Sequence, residues 1–126
     1  MLGKVLLHNR WGFVEVDYEL GRYYRRLFLN QYKIKLQRPS NEEHITIISP
    51  WDNIVLSDLH EFNGMKVKFE VIHPLFWNGN ALWLNIISEQ IDEFRKSLGL
   101  GKPGIDLHFC IGYLNANEEE KCQSVL

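Results

Sequence analysis

The chain has little cysteine, little net charge and no long apolar run, and each shortage narrows what it can be. Two cysteines in 126 residues, Cys110 and Cys122, make no disulfide framework. Cys110 sits in an apolar strand-like run and Cys122 in a polar tail, so no pairing between them is expected. A net charge of −2 gives no global basic field for tight, non-specific nucleic-acid binding, and double-stranded DNA is not an expected partner. A small or single-stranded phosphate ligand needs only a local patch. No apolar run approaches the length of a membrane span, so no membrane partner is expected. The segment Met1–His8 is interrupted too early for a secretory signal, which makes the cytoplasm the expected location. There is no glycine-rich phosphate loop and no nucleophile elbow. Gly99-Leu-Gly101-Lys-Pro-Gly104 follows a helix, the wrong context for a dinucleotide fingerprint. His8, His60 and His73 lack metal-ligand spacing, and neither a metal nor another cofactor is expected.

What remains is the composition of a globular protein, 45% hydrophobic and 24% charged, in a chain long enough to bury a core as a single domain over residues 1–126. Trp11–Val16 reads as a strand. Asp17 is a good N-cap for an amphipathic helix carrying Leu20, Tyr23 or Tyr24, Leu27 and Gln31, with Gly21 a weak spot in it. Lys33–Leu36 looks like a short strand and residues 44–49 like another, ended by Pro50. Residues 51–64 read as loop with one helical turn at most. Lys66–Ile72 and Ala81–Ile87 alternate as an antiparallel pair. Ser88 caps a second helix whose stripe is Ile91, Phe94 and Leu98, with Arg95 and Lys96 near its carbonyl end and Gly99–Gly101 as the C-cap. Asp106–Leu114 is the last strand, and residues 115–126 form a polar tail. The order predicts an α+β protein of two topologically similar halves.

The chemistry concentrates in two strands, His44-Ile-Thr46-Ile and His108-Phe-Cys110-Ile. A period of two places His44 and Thr46 on one face, and likewise His108, Cys110 and Gly112, with Tyr113 opposite and therefore outside the site. Each histidine is paired, two positions on, with a small side chain carrying a polar hydrogen. Phosphoryl transfer needs an acid, a base and charge stabilisation on the non-bridging oxygens. Two imidazoles titrate near neutral pH and can supply the first two. A threonine hydroxyl can donate to a phosphate oxygen.

The two motifs, with the order of elements from Trp11 to Leu114, resemble the 2H phosphoesterase superfamily, and His-Ile-Thr-Ile-Ile-Ser-Pro is similar to its Swiss-army-knife RNA-repair-like branch. The resemblance implies a bilobal α+β fold, two antiparallel sheets flanking a central groove with helices outside. It also implies metal-independent cleavage of 2′,3′-cyclic phosphate RNA ends or cyclic (oligo)nucleotides; some phage members destroy cyclic oligonucleotide signals. By motif match His44 and His108 are the catalytic acid and base, and Thr46 and Cys110 bind phosphate. Cys110 departs from the pattern, since a thiol donates weakly, and cysteine also serves as a small buried residue. The alternative is therefore a catalytically weak nucleotide- or RNA-binding module. A metal-dependent hydrolase ranks last.

Six basic residues and no acidic one lie between Gly21 and Asn41. They read mostly as a solvated helix face and strand lysines, although they could attract a nucleotide. Among aromatics able to stack on a base, Tyr18 and Trp51 are the better-placed candidates, ahead of Trp11, Trp77 and Trp83.

Overall fold

Asp17 caps the first helix as its carboxylate accepts from the Glu19 amide at 2.8 Å, and α1 runs from Tyr18–Tyr32. Ser88 does the same for α2 (Glu89–Ser97), its hydroxyl accepting from the Ile91 amide. Around them stand seven strands: β1 (Leu2–His8), β2 (Trp11–Glu15), β3 (His44–Ile48), β4 (Lys66–Lys68), β5 (Glu70–Trp77), β6 (Ala81–Ile87) and β7 (His108–Tyr113). Two 3₁₀ turns, Pro50–Asp52 and Leu56–Phe62, fill the segment after β3. These come from a computed structural model that describes residues 1–40, 42–54, 56–103 and 106–114.

The class is α+β, but the strands do not split into two sheets. They form one antiparallel sheet in the order β4-β1-β2-β3-β7-β6-β5. From its centre the sheet reads β3, β2, β1 on one side and β7, β6, β5 on the other. Each half is thus a hairpin, a helix and a returning central strand. The motif strands meet at the middle, with Ile45 opposite Phe109.

Three readings of the sequence change here. Met1–His8, read only for its lack of a leader, supplies β1, which pairs with both β2 and β4. Lys33–Leu36 is not a strand; the neighbouring Gln37 makes a single bridge to Tyr113. Lys66–Ile72 is split at Phe69, whose amide donates to Met1, so β4 joins one edge of the sheet and β5 the other.

One sheet face packs on both helices. Val14, Ile45, Leu84 and Phe109 from the strands, Tyr24 and Phe28 from α1, and Ile91 and Phe94 from α2 belong to one buried cluster. Burying a large aliphatic or aromatic side chain is worth about 1.5–3 kcal/mol, so this face supplies most of the cohesion. The other face carries His44, Thr46, His108 and Cys110.

Candidate active site

The ladder fixes how the motifs meet. Continuing the Ile45–Phe109 register by one residue sets His44 opposite Cys110 and Thr46 opposite His108. The four positions form a block on two adjacent strands, with the histidines on its diagonal. His44 and Thr46 are each 7% exposed, and Cys110 4%. His108 is half-buried.

The two imidazoles are held alike. His44 Nδ1 donates to the carbonyl of Glu42 at 3.0 Å, and His108 Nδ1 to that of Asp106 at 3.2 Å. In both motifs the acceptor is the residue two positions earlier. A carbonyl can only accept, so each Nδ1 carries its proton and Nε2 becomes the nitrogen that exchanges one. On the first side, Glu42 adopts a φ of 64°, the left-handed region, as its carbonyl takes up this bond. The Phe13 ring stands edge-on to His44, centroids 4.8 Å apart.

Both motif strands carry a β-bulge at the third residue after the histidine. Gly12 pairs with Ile48 and Phe13 with Thr46, leaving Ile47 as the extra residue; Leu82 pairs with Gly112 and Trp83 with Cys110, leaving Ile111. A bulge frees a ladder carbonyl, and a buried one must find a donor. In each case an arginine from the other half's helix supplies it. Arg25 of α1 donates to Ile111 O at 2.9 Å, and Arg95 of α2 donates to Ile47 O at 2.8 Å. Each arginine is in turn neutralised. Arg25 bonds Glu43, a buried carboxylate that Arg38 also grips with two nitrogens. Arg95 holds both oxygens of Asp52 at 3.0 Å. Burial pushes the Asp52 carboxyl up, but the Arg95 hydrogen bonds, the Ser49 amide and the arginine's charge outweigh it, and the net shift is downward. So Arg95, expected at a helix end as a partner of the dipole, is instead a buried brace.

The bulges also correct the facing of two residues. Past Ile111 the alternation flips, so Tyr113 joins the Cys110 face: its hydroxyl lies 3.1 Å from Cys110 Sγ, and the two cluster with Ala81 and Trp83. The exclusion of Tyr113 from the site is overturned. Gly112 does not leave space beside Cys110. It turns to the helix side, where a Cβ would meet the Gln37 carbonyl at 2.7 Å. Cys110 is not a free thiol, since its sulfur is in a disulfide. This corrects the expectation of an unpaired cysteine; Cys122, on which that expectation also fell, lies outside the described residues. Without an S–H, Cys110 cannot donate to a phosphate oxygen.

Of the two proposed stacking residues, Tyr18 is engaged by a cation and Trp51 stands exposed. The Tyr18 ring lies under the Arg38 guanidinium, 4.5 Å from its centroid, in the Glu43 cluster. Trp51, 75% exposed, stands beyond the end of β3 remote from His44. Of the six basic residues before Asn41, Arg25 and Arg38 serve Glu43 and Arg22 pairs with Glu19. Aromatics that do flank the motif strands are Trp11 and Phe13 on β2 and Phe76 and Trp83 on β5 and β6. Beside His108 a cleft of about 310 Å³ is lined by Ile72, Asn85, Lys102 and Asp106, among others. Among the described residues, no three His, Cys, Asp or Glu side chains are grouped to hold a metal ion, and no helix is long and apolar enough to cross a membrane.

No protein-family model, no curated protein and no solved structure matches the chain.

Proposed function

We propose that the protein is a metal-independent phosphodiesterase of the 2H type, acting on 2′,3′-cyclic phosphate RNA ends or cyclic (oligo)nucleotides. The observation that carries this reading is the matched pair of Nδ1 hydrogen bonds. Two imidazoles with the same tautomer, on adjacent strands, offer one Nε2 as base and the other, protonated, as acid. In hydrolysis of a cyclic phosphate, a water oxygen forms a bond to phosphorus and its proton passes to the first imidazole. The bond from phosphorus to the leaving ribose oxygen breaks, and the second imidazole protonates that oxygen. Both histidines are then reset by proton exchange with solvent. Thr46, opposite His108, donates its hydroxyl to a non-bridging oxygen.

The test is turnover in EDTA of nucleoside 2′,3′-cyclic phosphates, cyclic oligonucleotides and RNA with cyclic ends. His44→Ala and His108→Ala are each expected to lower kcat by about 10²–10⁴-fold. Turnover of none of these compounds, or turnover indifferent to both substitutions, sinks the proposal.

A second reading rests on Cys110. With no thiol hydrogen at the second motif, the fold would hold a nucleotide or RNA without cutting it. That reading predicts intact ligand after long incubation, and recovery of cleaved product from the unsubstituted protein rejects it.

A further inference from the structure

The centre of the motif face is closed, and a covalent bond stands at the point of closure. Along β1 burial alternates, as it does on a sheet with one open face. On β3 all five residues are buried, and on β7 every residue after His108. Both faces of the two central strands are therefore shut. The helices shut one of them, since their buried side chains belong to the cluster on that side. On the motif face the closure is local. Glu15, opposite His44 in the ladder, is exposed, and Trp83, opposite Cys110, is only half-buried. What stands at the centre is the Cys110 disulfide.

The chain has two cysteines, so a bond within it joins Cys110 to Cys122. Leu114 lies four positions past Cys110 and eight before Cys122. Four strand residues span about 13 Å, and eight residues reach about 26 Å at full extension, so the chain is long enough to return to the Cys110 sulfur. Continuing the Ile45–Phe109 register places His44 directly opposite Cys110, which sets the bond beside that imidazole.

We propose that the Cys110–Cys122 disulfide is a redox lock on the histidine block. While the bond stands, Cys122 and the acidic run before it, Glu118-Glu119-Glu120, are held against β3 and β7, and His44 and Thr46 are out of a ligand's reach. A dithiol reductant opens it. One thiolate of the reductant attacks a disulfide sulfur, forms a mixed disulfide and releases one protein thiolate. The second reductant thiol then displaces the other. Two electrons pass to the protein, the reductant leaves as its own cyclic disulfide, and its two protons end on the two cysteine thiols. Opening also returns a hydrogen to Cys110 Sγ, the donor that the second motif lacks in the oxidised form. In thiol-reducing compartments disulfides are usually transient and redox-sensing, which suits a bond placed at the site. The lock rests on the phosphodiesterase reading for what it gates. Its own content is the closure.

Carbethoxylation of the histidines by diethyl pyrocarbonate, located by peptide mass spectrometry, tests it on the full chain. The oxidised protein is compared with protein reduced by dithiothreitol and desalted, and with Cys122→Ser. The reagent attacks the unprotonated Nε2, and His8, exposed on β1, is the internal reference. Reduction is expected to speed His44 labelling about fivefold or more, with His8 unchanged, as a locally closed segment opens. Cys122→Ser should label at the fast rate without reductant. Circular dichroism melts accompany each sample. Equal His44 labelling in all three, a Cys122→Ser protein that stays slow, a bond found between two chains, or a reduced protein with no cooperative melt overturns the lock. Hydrolysis of a nucleoside 2′,3′-cyclic phosphate is measured on the same samples. Faster labelling without turnover in any of them leaves the lock standing and removes the phosphodiesterase. Turnover with equal labelling does the reverse.

Discussion

Gly21 shows how a single residue can be misjudged by propensity. In an exposed helix, glycine to alanine gains about 1 kcal/mol. Here a Cβ would stand 2.8 Å from Glu43 Cγ and 2.9 Å from an Arg25 nitrogen, both fixed by hydrogen bonds. Overpacking of this kind costs about 1–3 kcal/mol, so Gly21→Ala is expected to lower stability in urea titration; a stabilised variant would show that the cluster yields. Asp52 gives a pH signature. Its folded pKa is depressed, so its contribution is present above the unfolded value, about 3.9, and disappears as pH falls through the folded value below that. Asp52→Asn should therefore destabilise the protein at pH 7 and flatten the stability profile below about pH 4. A profile parallel to that of the unsubstituted protein contradicts the assignment. Tyr113, placed beside Cys110, carries a hydroxyl 3.1 Å from the sulfur at the second motif. Tyr113→Phe is expected to lower turnover of a cyclic nucleotide severalfold with little loss of fold, read as kcat beside a thermal melt.

At the scale of elements, the two halves are tied by reciprocal braces from helix to bulge. The Arg95–Asp52 pair is the more buried at its cationic end, where the arginine is 4% exposed and also bonds Ile47 and Gly101. Removing one partner of such a pair costs about 3–5 kcal/mol, because the other is left buried and uncompensated. Arg95→Met should fall in that range. Arg95→Met combined with Asp52→Leu should cost less than the two single changes added, with a coupling above about 1 kcal/mol in a denaturation cycle. Strict additivity would mean the bridge contributes nothing as a pair. The helices themselves were legible in the sequence: caps at Asp17 and Ser88 and the apolar stripes are local signals, and both helices form where those signals put them. The braces were not, since an arginine and a bulge carbonyl dozens of residues away in sequence have no local pattern in common.

For the whole molecule, the seven-stranded order makes the N-terminal strand structural. β1 lies between β2 and β4, and Val5 is fully buried. Deleting residues 1–8 removes that packing and exposes the ladder edge of β2, an invitation to intermolecular pairing. The truncated chain is expected to aggregate or to lose its cooperative melt, measured by sedimentation and circular dichroism. A soluble monomer melting within a few degrees of the full chain would place β1 outside the core.

The sequence by itself determined the α+β class, both helices and the pairing of His44 with Thr46 and of His108 with Cys110 on a common strand face, because capping and a period of two are properties of neighbouring residues. Tertiary structure alone decided that the sheet is continuous, that Tyr113 shares the face of Cys110 and Gly112 does not, and that Phe13 and Trp83 pair with the two motif strands from either side. The physical reason is the same each time. A bulge at Ile47 or Ile111 exists only where two strands pair out of step and a distant arginine satisfies the freed carbonyl, so the facing of every residue beyond it is set by partners that no local pattern names.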